Sequence, residues 1–339
     1  RGVFLPPLAP NFDAALRDAG SRDARFRMAA AERLATPEPG REDEALKALR
    51  RLADDPLGPI REAALTGVGF LGDPSDLALL EARFDDGHVA VRQAAVRAAA
   101  RIEADPSWLL PLLDDPREEM RFQAVDALAV HLPELAEAHL LPLLDDPDAR
   151  VGSAAARALG ALEAHGAADA LAAKLDGPLA FDAAVALAEL GDARGEPSLV
   201  RALADRQLAL DATEALGLVA TDAGRDALAR TAERFFAPLL LRAAAGAALA
   251  RRGDARGVAA LDRVLRAWRA DGRDYAVHAA GELGLADLVP ALARLVRRLR
   301  GADPGVLAAA LEALAEESEP AREALERLRR RFRFEPAES

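Results

Sequence analysis

An aspartate-bearing turn recurs along the chain with a period close to 30 residues, and this repeat constrains the fold more than any other feature. The turn aspartates are Asp54, Asp85, Asp114, Asp145, Asp176 and Asp205, spaced by 31, 29, 31, 31 and 29 residues. After a gap near Phe235-Phe236 the series resumes at Asp271 and Asp303. Each turn separates an apolar helix from a second helix rich in Ala-Ala and Ala-Leu, which often closes on Leu-Gly-Asp. The second helices align without gaps: Ile60 to Leu71 matches Val91 to Ile102, Val151 to Leu162 and Leu179 to Leu190. Leu208 to Val219 and Leu241 to Arg252 keep the same register. Apolar residues at positions 1, 4, 5, 8 and 12 of this frame form one helical stripe. Alanine at positions 4 and 5 is expected to let neighbouring helices approach closely. Bulkier residues at 1, 8 and 12 fill the gaps between layers.

One such helix pair cannot bury its own stripe, whereas stacked pairs can. The expected fold is therefore all-α, an α-solenoid: a right-handed superhelix of stacked antiparallel helix pairs. About ten pairs span residues 12–317, after an extended apolar N-terminal arm (1–11) and before a C-terminal capping helix and tail (318–339) with its helix at about Pro320 to Phe334. The ninth pair aligns poorly around Tyr275. The turns carry the expected chemistry. Asp148 and Asp205 cap free N–H groups. Pro56, Pro116 and Pro147 end first helices, and Gly72, Gly191 and Gly253 end second helices. Alanine is about a quarter of the chain and aromatics are 4%, which argues against a β-rich fold.

These residues resemble the HEAT-repeat family, specifically the short HEAT-like repeats of the phycobilin-lyase type. The likeness rests on the turn aspartate together with an arginine second in the following helix, at Arg27, Arg61, Arg92, Arg121 and Arg242. It implies a ladder of ion pairs between adjacent repeats, with Asp54, Asp85, Asp114 and Asp145 as its acids. It also implies that the second helices line a concave face. The resemblance covers nearly the whole chain, but the repeat hosts many functions.

Several chemistries are disfavoured. There is no cysteine, so disulfides, thiolate metal sites and Cys nucleophiles are excluded. The net charge is −12, of which residues 1–169 carry −11, and an acidic surface repels polyphosphate and anionic membranes. No apolar run is long enough to span a bilayer. The chain begins at Arg1 rather than Met, as a processed form or a fragment would, and a cytoplasmic location is expected. His88, His131, His139, His165 and His278 show no ligand spacing, and no histidine precedes a glutamate as in iron-binding HEAT-like hydroxylases. Phosphate-binding glycine loops and Gly-x-Ser-x-Gly are absent. HEAT-like DNA glycosylases need a basic groove with aromatic lining, whereas Trp108 and Trp268 fall on first helices, where packing between layers is expected. Arg97, Arg101, Arg157 and Arg242 make only a partial basic stripe. No catalytic residue, metal or cofactor is expected, nor a nucleic-acid partner.

Departures from the repeat mark candidate contacts. Gly152, Ala180 and Ala209 replace the ladder arginine in repeats five to seven, and Asp182 and Asp211 appear two positions later in identical register. They form either a contact site at a bend, holding a partner's cation or a metal ion, or helix-start acids with Arg242 paired to Asp211. Arg150 and Arg157 join them as candidate partner contacts. Phe235-Phe236 replaces the polar turn of repeat eight, as an exposed anchor or with one ring tucked beneath the loop. Phe332 and Phe334 are expected to cap the array end, and residues 320–334 carry a local charge of +4. The arm Val3 to Leu8 either packs over the first repeat or leads to something outside it. The reading is a non-enzymatic scaffold that binds a protein or peptide on its concave face. The alternatives are an accessory subunit of a lyase-like enzyme and a nucleic-acid-binding array.

Overall fold

A computed structural model describes residues 11–102, 106–298 and 301–332. The arm Val3 to Leu8 and Phe334 lie outside the described residues. Among the described residues there is no strand; the chain is helical and divides into two compact units, 1–162 and 163–339. The first holds α1 (Phe12–Asp18), α2 (Ala24–Leu34), α3 (Glu42–Leu52), α4 (Gly58–Leu71), α5 (Leu77–Glu81), α6 (Val89–Arg101), α7 (Glu118–His131), α8 (Pro133–Leu140) and α9 (Ala149–Ala161). The second holds α10 (Ala168–Ala172), α11 (Ala180–Glu189), α12 (Glu196–Ala202), α13 (Ala209–Val219), α14 (Asp222–Glu233), α15 (Leu239–Arg251), α16 (Ala255–Arg266), α17 (Arg273–Glu282), α18 (Val289–Arg298), α19 (Pro304–Ala315) and α20 (Glu319–Phe332). The second helices of the repeat are α2, α4, α6, α7 and α9 in the first unit, and α11, α13, α15, α17 and α19 in the second. Several first members are short. The one before α7 is a 3-10 turn, Leu110–Asp114, with Pro111 at its start.

The buried stripe is wider than the sequence suggests. In α6 it comprises Val91, Ala94, Ala95, Val96, Ala98 and Ala99; in α7, Met120, Ala124, Val125, Ala127 and Leu128. Positions 6 and 9 are therefore core, because a second helix has neighbours on two sides as well as its own first helix. Position 4 is only partly covered in α4, α7 and α9. Close approach is set elsewhere, by glycine at position 10 against alanine at position 8 of the next second helix. A Cβ on Gly69 of α4 would lie 2.8 Å from the Ala98 Cα of α6. One on Gly281 of α17 would lie 2.6 Å from the Ala310 Cα of α19, and one on Gly217 of α13 would lie 3.2 Å from the Ala248 Cβ of α15.

Second helices end as the Leu-Gly-Asp phrase implies. Gly191 and Gly253 adopt left-handed φ of 76° and 72°. The following Asp192 and Asp254 N–H groups then donate back to the Leu187 and Leu249 carbonyls at 2.8 and 3.0 Å. Asp254 caps α16 through the Arg256 N–H at 3.0 Å. At the chain's far end α20 buries Ala321, Ala324, Leu325 and Leu328 in the core shared with α18 and α19, while Phe332 stays partly exposed.

Candidate functional site

The first unit carries a ladder of ion pairs. Arg61 donates from Nε and Nη2 to Asp86 at 2.8 and 2.7 Å, and from Nη1 to the Asp55 carbonyl at 2.8 Å. Asp86 also accepts the His88 N–H at 2.9 Å, which starts its own helix. Arg121 repeats the pattern on Asp146 (2.7 and 2.8 Å) and the Asp115 carbonyl (2.8 Å), with Asp146 accepting the Asp148 N–H at 2.8 Å. Arg27 does so on Asp55 (3.1 Å from Nη2) and the Ser21 carbonyl (3.0 Å). Arg92 differs: it pairs with Glu119 at 3.0 Å, because Asp115 is taken by Arg117.

The expected acids Asp54, Asp85, Asp114 and Asp145 are thus displaced: three rungs close one residue on, at Asp55, Asp86 and Asp146, and the fourth closes at Glu119 in place of Asp114. The rung aspartates share a turn in which the carboxylate accepts the N–H two residues on: Leu57 on Asp55 at 2.9 Å, His88 on Asp86 at 2.9 Å and Asp148 on Asp146 at 2.8 Å. Proline follows Asp55 and Asp146 and holds the backbone extended, with ψ of 138° at Asp146, whereas glycine follows Asp86. Asp54 instead meets Arg83, and Asp85 meets Arg117 at 3.0 Å.

Burial raises the carboxyls of Asp55, Asp86 and Asp146, but their arginines and N–H donors outweigh it, so all three titrate below the ordinary aspartate range. The folded chain then binds these protons less readily than the unfolded chain. Their stabilisation is complete above the unfolded value near ~4 and is lost as pH falls through the depressed native values. The urea midpoint is expected to fall below about pH 4, and the fall to be shallower in Asp146→Asn. An equally steep fall in the variant would contradict this.

The second unit uses carbonyls where the first uses acids. Arg242 donates to the Ala232 carbonyl at 3.0 Å and does not pair with Asp211, contrary to expectation. Arg273, buried at the ladder position of α17, donates to the carbonyls of Gly301 (3.1 Å) and Ala267. Sequence reasoning missed it because the alignment fails around Tyr275; its signal was an arginine six residues after a turn carbonyl, as at Arg61 and Arg121. Also unanticipated were two buried acids. Asp76 holds Arg50 at 2.6 Å, and Glu196 accepts the Thr221 N–H and hydroxyl at 2.9 and 2.7 Å.

Asp182 is half-buried on α11 and Asp211 exposed on the adjacent α13. No group of three or more His, Asp or Glu among the described residues is arranged to hold a metal ion. Arg150 is exposed and tied to Asp148 at 3.1 Å and Glu118 at 3.4 Å, and Arg157 is exposed on α9. Phe235 and Phe236 are 81% and 95% exposed, edge to face with centroids 5.1 Å apart; neither ring tucks beneath the loop. They border a groove of about 510 Å3 with Leu203, Ala209 and Leu210. Trp108 is buried against Phe84 at 5.6 Å. Trp268 is not packed between layers as expected but 97% exposed, because α16 ends at Arg266, two residues short of it.

Helix pairs stacked side by side, with no strand among the described residues, define an all-α solenoid. The HEAT repeats family matches residues 12–100 and 106–188, and the chain belongs to it. Importin beta is similar in structure at 14% identity and a TM-score of 0.50, over 92% of this chain and 53% of that one. YibA of Escherichia coli is similar at 20% identity and 0.45, over 60% and 79%. The CpcE–CpcF complex of phycocyanin lyase from Nostoc sp. PCC7120 is similar at 21% and 0.40, over 78% and 98%. No curated protein sequence matches the chain. No helix among the described residues is long and apolar enough to cross a membrane.

Proposed function

We propose that the chain is a non-enzymatic scaffold that holds a protein partner against the outward face of its second helices. The supporting observation is a set of large apolar side chains left in solvent at positions 3 and 11, which share one helix face. Phe70 of α4 is 61% exposed and Val130 of α7 is 68% exposed, with Phe122 and Leu218 also uncovered. These side chains lie off the buried stripe, so they add little to the core and are available for intermolecular contact. The Arg101 guanidinium lies over the Phe70 ring at 4.5 Å, adding a cation to the same surface.

The test is carboxylate-directed cross-linking of the complex purified natively, read by mass spectrometry. Lys47 and Lys174 are the only lysines, so amine-directed reagents would sample little of the surface. A partner in fixed stoichiometry is expected, its cross-links falling on second-helix acids such as Asp126 and Glu189. Loss of that partner in Phe70→Asp with Val130→Asp, at unchanged circular dichroism, would support the reading. Cross-links confined to first helices would overturn it.

A further inference from the structure

The turn edge of the second unit carries a feature that neither the core nor the second-helix face explains. Phe235, Phe236 and Trp268 are almost wholly solvent-exposed, and they sit on consecutive turns, α14–α15 and α16–α17. The two turns touch: a Cβ on Gly272 would lie 2.5 Å from the Leu240 backbone, and Leu240 lines the groove below Phe235. In every other turn of this unit the corresponding place is polar or small: Asp205-Arg206-Gln207 before α13, and Ala302-Asp303 before α19.

The groove adds two facts about what it accepts. It is a recess rather than a flat patch, with Leu203, Leu210, Leu240 and Leu241 as floor and walls and about 510 Å3 of space, room for one or two large apolar side chains. Its rim carries Arg206 and Arg234, both exposed, and neither makes an ion pair among the described residues. The acid at the rim, Asp205, accepts the Gln207 N–H at 2.7 Å and makes no ion pair with either arginine. Two arginines against one aspartate leave the opening with a local charge of +1.

From these we infer that the α14–α15 and α16–α17 turns form a docking site for a short peptide segment of another protein, one presenting an aromatic or leucine side chain flanked by carboxylates. The apolar side chain enters the groove beside Phe235 and Phe236. The carboxylates meet Arg206 and Arg234, and Trp268 covers the segment from the next turn. This rests on the scaffold reading but uses a different surface, so either can fail alone. A lipid bilayer, the other occupant that exposed aromatics and arginines invite, fits less well. A recess suits a side chain rather than a planar membrane.

The experiment selects twelve-residue peptides from a random display library on the immobilised full chain. Phe235→Ala/Phe236→Ala/Trp268→Ala serves for counter-selection; its residues are exposed, so circular dichroism should match wild type. Enriched peptides are expected to share an aromatic or leucine within acidic flanks. By calorimetry the best of them should bind at least about tenfold more weakly to the triple variant and to Arg206→Glu/Arg234→Glu, and more weakly as salt rises. Peptides lacking acidic flanks, equal binding to either variant, or no enrichment would overturn the inference. So would co-sedimentation with phosphatidylserine vesicles that the triple variant abolishes.

Discussion

Arg121→Ala should lower the unfolding free energy by about 3 kcal/mol, the range found when one partner of a buried ion pair is removed. The side chain makes a two-pronged contact with Asp146 and holds the Asp115 carbonyl. The Asp146 carboxylate is only 2% exposed and would keep a single donor, the Asp148 N–H. Amide hydrogen exchange in α7 and α9 should accelerate most, since both ends of the rung start there. Arg121→Lys should recover only part of the loss, because an ammonium cannot span two carboxylate oxygens and a carbonyl from one planar group. Arg25→Ala is the matched control: Arg25 also pairs with an aspartate, Asp23, but is 87% exposed, and its loss should leave the urea midpoint nearly unchanged. Comparable losses from Arg121 and Arg25 in urea titrations would show that the ladder carries no special weight.

The second large effect is expected at the helix crossings. Gly69→Leu should destabilise by about 1–3 kcal/mol or more, since the new side chain meets the backbone of α6 rather than a yielding side chain. The gain in helix propensity from losing a glycine, about 1 kcal/mol at most, opposes this but does not cancel it. Gly87 has open space around its Cβ direction, so Gly87→Ala should shift the thermal midpoint little. If Gly69→Leu proved as mild as Gly87→Ala, the glycine–alanine contacts would not be setting the helix spacing.

The repeat period and the helix-ending Leu-Gly-Asp phrase were legible because both are local. A 3.6-residue periodicity and a left-handed glycine act within a few residues of themselves. The rung acids were not: of two adjacent aspartates, it is the second whose carboxylate takes the N–H two residues on and meets the arginine of the previous repeat at Asp55, Asp86 and Asp146, and adjacency alone does not say which of the two it will be. The stripe was misjudged at positions 4, 6 and 9 because periodicity counts one buried face, while a stacked helix is covered on two. Trp268 shows the limit of periodicity: it continues the α16 stripe Leu261, Val264, Leu265, yet the helix stops before reaching it. The exposure of both Phe235 and Phe236 could not be read, since nothing in the sequence says which loop side chains fold back. Arg273 was obscured because its acceptors are carbonyls, which every residue possesses.

Each rung aspartate serves two helices at once, accepting an N–H at the start of its own and the guanidinium of the one before. An array built this way can lengthen or shorten only in whole modules. A duplicated segment brings both halves of a rung and closes on either neighbour immediately, whereas an insertion of one or two residues within a turn throws two rungs out of step together. Length variation among chains of this design should therefore appear in steps of about thirty residues, with the turns themselves nearly constant.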